Sequence, residues 1–61
     1  MDGSELKQIR KSLGLSQPNF GAEIDRSKMQ IIRYEKGEAE ITLLIERAVR
    51  DLVRERTELP S

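Results

Sequence analysis

Sixty-one residues leave room for one domain, and such a domain buries only about 60% of the surface its unfolded chain exposes. There is no cysteine and no histidine, which excludes a disulfide staple and the usual structural zinc site. Net charge is zero, with residues 1–37 carrying seven Lys or Arg against five Asp or Glu, and residues 38–61 four against six. A chain that coats nucleic acid by charge alone is therefore excluded, while a modestly basic N-terminal part is not. No apolar run approaches the roughly 18 residues of a membrane span, and no signal-peptide pattern opens the chain, so a soluble, cytoplasmic protein is expected.

Asp2 to Leu13 reads as the first helix. Leu6, Ile9 and Leu13 fall on one stripe. Asp2 with Glu5 offers a capping box, Ser4 is the rival N-cap, and Gly14 suits the left-handed position after the helix. Arg10 sits at the edge of the stripe, either as an ordinary surface arginine or as partner to an acid at the margin of the core. The second helix runs from Gln17 to about Ile24. Ser16 caps it, Pro18 is tolerated in the first turn, and Phe20 and Ile24 face the core. Gly21 inside it costs up to about 1 kcal/mol relative to alanine, which a close approach of helices two and three would offset. Gln17 at the helix start is either a phosphate ligand or a solvated glutamine.

Asp25 and Arg26 form a tight turn, and aspartate tolerates positive φ. Ser27 caps a third helix that reaches about Lys36 and stops at Gly37. Ile31 and Tyr34 point inward. Lys28, Met29, Ile32, Arg33 and Lys36 share the opposite face. A solvated face seldom mixes Met and Ile with three cations. A groove-reading face would put the cations on phosphate or guanine and the apolar groups on thymine methyls. A protein-binding face is the alternative. Glu35, beside the core edge, is the natural acid for Arg10.

After the polar link Glu38 to Glu40, a fourth helix is predicted from about residue 41 to 56, with Thr42 as N-cap. Ile41, Leu44, Ile45, Ala48, Val49, Leu52 and Val53 cover about half its circumference, more than one small core needs. Leu44, Ala48, Val49, Leu52 and Val53 are therefore predicted to form a homodimer interface. Leu43 falls on the polar side and is expected to cover the link or the first helix. Glu46, Arg47, Arg50, Asp51, Arg54 and Glu55 read as a solvated face. Residues 57–61 are expected to fray.

The run LKQIRKSLGLSQPNFGAEIDRSKMQIIRYEKG, residues 6–37, resembles the Cro/CI-type helix-turn-helix family of phage, plasmid and bacterial repressors. Its most specific pieces are Arg10 to Gln17 (RKSLGLSQ) and Arg33 to Gly37 (RYEKG), with no insertion between them. The resemblance implies an all-α, four-helix, compact lambda-repressor-like domain whose helices two and three form the helix-turn-helix. It implies that Gln17 contacts phosphate and braces the recognition helix, that Ser27 caps that helix near phosphate, and that Lys28, Met29 and Arg33 read bases with Ile32 on the same face. It also implies an Arg10–Glu35 ion pair tying the first helix to the third. The sequence departs from the family at Asp25 and Arg26, where glycine and a small apolar residue are usual, at Gly21, usually alanine, and at Ile41, usually proline. No fifth helix fits, so the family's dimer surface is not implied.

The expected function is a sequence-specific double-stranded DNA-binding regulator, a repressor, acting as a homodimer on a palindromic operator. DNA-binding residues would be Gln17, Ser27, Lys28, Met29, Ile32, Arg33 and Lys36. The alternative is a protein-interaction adaptor or antitoxin-like module on the same fold. An enzyme is not expected: there is no phosphate-cradling glycine loop and no carboxylate pair in an apparent pocket. No cofactor, metal, small-molecule ligand or membrane partner is implied.

Overall fold

In the computed structural model, which describes residues 1–57, four helices and no strand are present: α1 (Gly3–Ser12), α2 (Gln17–Glu23), α3 (Lys28–Lys36) and α4 (Leu43–Thr57). No helix among the described residues is long and apolar enough to cross a membrane. Asp2 rather than Ser4 caps α1, its carboxylate accepting from the Glu5 amide at 2.8 Å. Ser16 and Ser27 do the same for α2 and α3, accepting from Asn19 at 3.3 Å and Gln30 at 3.2 Å. Thr42 caps α4, its hydroxyl accepting from the Ile45 amide at 3.4 Å. Each cap satisfies one amide that the helix itself leaves without a partner.

The first three helices share one kind of ending. After α1, the Leu15 and Gly14 amides donate back to the Arg10 and Lys11 carbonyls. After α3, Glu38 and Gly37 donate to Arg33 and Tyr34, and after α2, Arg26 and Asp25 donate to Gly21 and Ala22. This is the Schellman pattern, and it needs one left-handed residue at each stop. Gly14 (φ 70°) and Gly37 (φ 78°) supply it twice; Asp25 (φ 59°) supplies it between α2 and α3. A Cβ is disfavoured there. Asp25→Gly is therefore expected to raise stability by about 0.5–1 kcal/mol. Urea denaturation would check this, and a loss of stability would mean that the aspartate side chain holds the turn.

Every helix sends side chains to one core. Leu6 comes from α1, Phe20 from α2 with Ile24 just after it, Ile31 and Tyr34 from α3, and Ile45, Val49 and Leu52 from α4. Leu6, Phe20, Ile31 and Val49 are wholly buried. Each such burial contributes about 1.5–3 kcal/mol. The backbones also approach closely. A Cβ on Gly3 would collide with the Tyr34 and Glu35 carbonyl oxygens, so the start of α1 crosses the end of α3 on bare backbone. A Cβ on Gly21 would meet the Arg26 carbonyl oxygen first and the Ile31 side chain at 3.3 Å. Gly21 thus makes room mainly for the turn, and for α3 only secondarily.

The predicted dimer face of α4 needs correcting. Val49 and Leu52 are not available to a second copy, because they fill the core of their own chain. Ala48 and Val53 are half-buried against that core. Only Leu44, 71% exposed, points away from it. Most of the breadth of the apolar face is explained within one chain: Ile45, Val49 and Leu52 fill the core, and Ile41, Ala48 and Val53 pack at its margin. Leu43 is 62% exposed and does not cover the link or α1 as expected. Of the predicted frayed segment, Thr57 is the last residue of α4, and residues 58–61 lie outside the described residues.

Candidate nucleic-acid interface

The outward face of α3 is held by a cluster on its other edge. Arg10 reaches from α1 to Glu35 on α3, donating from Nε to Oε2 at 2.6 Å and from Nη2 to Oε1 at 3.2 Å. Its remaining Nη1 donates to the Leu15 carbonyl at 3.0 Å, which fastens the α1–α2 link to the same guanidinium. Gln17, the first residue of α2, donates from Nε2 to Glu35 Oε1 at 3.2 Å. Three helices therefore meet at a single carboxylate, and the link is held by the guanidinium that pairs with it. The Glu35 side chain is 5% exposed and that of Arg10 11%. The forked geometry uses both oxygens of the acid, as suits arginine.

This cluster agrees with the expected Arg10–Glu35 pair and with one expected role of Gln17. The Gln17 amide nitrogen is turned onto Glu35. This is the bracing contact with the third helix that was expected of it. Ser27 uses its hydroxyl as the α3 cap. Arg26 folds its guanidinium back onto the Asp25 carbonyl at 2.9 Å.

On the other side of α3, Lys28, Arg33 and Lys36 are exposed and make no ion pair among the described residues. Met29 between them is 59% exposed, and Ile32 is half-buried. Five of the seven residues expected to bind DNA thus share one surface, with three free cations around two apolar side chains. Lys28 and Met29 also follow the Ser27 cap directly, in the first turn, where amides lack helical partners and favour an anion. The other two, Gln17 and Ser27, bond to Glu35 and to the Gln30 amide. The described residues hold no cluster of acidic residues suited to a metal ion.

Two contacts carried no signal in the sequence. The Met1 ammonium donates to Glu46 Oε1 at 2.9 Å, tying the chain start to α4. Arg56 donates to Glu23 Oε1 at 3.0 Å, tying the end of α4 to α2. Both depend on tertiary placement that no local pattern encodes. The hydrogen bond to Glu46, with its charge, raises the Met1 ammonium above its usual 8.0. The same ammonium lowers Glu46 below its usual 4.5, with Arg50 adding to the effect. The raised amine stabilises the fold fully below pH 8.0, and that contribution is lost as pH rises through its folded value. The lowered acid stabilises above pH 4.5, and its contribution is lost as pH falls through its folded value. A stability plateau between these limits is expected from urea unfolding across pH, with a small decline on each side. Glu46→Gln should remove both declines; an unchanged pH profile in that variant would show that the contact contributes nothing.

No protein-family model, curated protein or solved structure matches this chain.

Proposed function

We propose that the chain is a sequence-specific double-stranded DNA-binding regulator of the Cro/CI type, with α2 and α3 as a lambda-repressor-like helix-turn-helix. The observation that carries this reading is the division of α3 into two faces. One edge is fixed by the Arg10–Glu35–Gln17 cluster. The other presents Lys28, Met29, Ile32, Arg33 and Lys36 outward. A groove-reading helix needs both: a fixed angle, and cations with apolar groups toward base edges and phosphates. In this reading Arg33 contacts guanine, Lys28 a base or the adjacent phosphate, and Met29 and Ile32 thymine methyls. Lys36 contacts the backbone.

Acting as a repressor, the protein would bind as a homodimer with α3 helices about 34 Å apart on a palindrome. Since Val49 and Leu52 belong to the core and Ala48 and Val53 pack against it, Leu44 is the part of the expected interface left to a second copy. Selection from a randomised duplex pool at about 0.1 M salt tests the whole reading. A retained palindrome with half-sites one helical turn apart is the expected result. A single, non-palindromic site would remove the dimer, and no enrichment from folded protein would remove the DNA function.

A further inference from the structure

The exposed surface of α4 is not uniform. Leu43, Arg47, Arg50 and Arg54 recur at i, i+4, i+7 and i+11 and so lie along one line of the helix, and all four are exposed. Asp51, four residues after Arg47 and three before Arg54, flanks this line without an ion pair among the described residues, and no acid lines the groove beside it. Asp51 and Glu55 fall on the flank beside Leu44. Glu46 is shared between two cations, the Met1 ammonium at 2.9 Å and Arg50 at 3.5 Å. Arg47 and Arg54 make no ion pair among the described residues. Beside the line runs a groove of about 480 Å³ between α1 and α4, lined by Ile9, Val53, Arg50, Arg54 and Thr57. Its apolar lining is aliphatic, and two arginines stand beside it.

We propose that this groove is a second binding surface, for an acidic protein segment that carries an apolar side chain. Charge complementarity identifies the partner. The arginines offer forked donors that match carboxylates, and an aliphatic group between them would cover Ile9 and Val53. A nucleic acid fits less well. Phosphates would use the arginines but leave the aliphatic lining wet, and no aromatic side chain is there to stack a base. A second copy fits less well too, because it would set one arginine line against another. The surface shares no residue with the outward face of α3, so both could be occupied at once, and neither assignment depends on the other.

The test is an NMR titration of the full chain, following the Ile9 and Val53 methyls while a short helical peptide of leucine and glutamate is added. Saturable shifts at these methyls are expected, and none with the same peptide carrying lysine for glutamate. Arg54→Glu, at an exposed position, should weaken binding by about tenfold while leaving the remaining spectrum unchanged. Silent Ile9 and Val53 methyls would overturn the proposal, as would shifts that survive Arg54→Glu or the lysine peptide. Duplex DNA added alone provides the last arm. Shifts at Ile9 and Val53 with DNA would reassign the arginine line to phosphate and overturn the proposal. Shifts confined to α3 residues would leave it standing beside the DNA reading, and an α3 that ignores DNA would strike only that other reading.

Discussion

Arg10→Ala is expected to destabilise the fold by about 3–5 kcal/mol, because it leaves the Glu35 carboxylate enclosed with a single neutral donor, Gln17. A chain of this length has a total stability of only about 3–9 kcal/mol, so the variant should lose at least about a third of it. Urea titration followed by circular dichroism would measure it. The contrast that isolates the cause is the double variant Arg10→Met, Glu35→Leu. Removing both charges together removes the unpaired carboxylate, so stability should return to near that of the parent. If Arg10→Ala costs less than about 1 kcal/mol, the pair behaves as a solvated surface bridge, and the account of a clamped α3 fails. If both variants are equally unstable, the loss lies with the Leu15 carbonyl or the packed arginine stem rather than with the charge pair. The double variant has a second use. It is expected to keep the fold while removing the charged clamp between α1 and α3, and its DNA affinity would then report what the clamp contributes to recognition.

The helices were legible because their ends are written in local chemistry. Asp2, Ser16, Ser27 and Thr42 cap, Gly14 and Gly37 stop, and apolar spacing selects the inward residues Leu6, Phe20, Ile31 and Tyr34. The Arg10–Glu35 pair was legible through its place in the resembling motif, and its geometry agrees. What a periodicity argument could not separate was the destination of the broad face on α4. The count of apolar positions shows that half the helix is covered, but not whether its cover comes from the same chain. In a chain this short, one helix must close the core alone and also flank α1, so Val49 and Leu52 turn inward and only Leu44 is left out. The partner of Gln17 was hidden for a related reason. Its acceptor Glu35 comes from another helix, 18 residues on, where no local spacing points. Gly3 was silent because close backbone contact at a helix start leaves no trace beyond the glycine itself.

Arg33→Ala is expected to weaken binding to the selected operator by about 1–3 kcal/mol, or about 5- to 150-fold, and to relax the preference at one base pair in each half-site. The residue is exposed, lies in the last turns of α3 and has no carboxylate partner among the described residues, so its removal should leave the fold intact. Lys36 provides the internal control. It is exposed two residues from the start of the polar link, and as a phosphate contact its loss should weaken every sequence alike and flatten the salt dependence by about one ion. Competition binding against operators mutated at each position, repeated across salt, separates the two behaviours. If Arg33→Ala lowered affinity for all sequences equally, the arginine would be a backbone contact, and base reading would pass to Lys28 and Met29 in the first turn of α3. If neither variant changed binding, the outward face of α3 would not be the DNA surface, however well its mixture of cations and apolar groups suits one. The two variants together therefore test the division of α3 into a clamped edge and a reading edge, the feature from which the regulatory function was inferred.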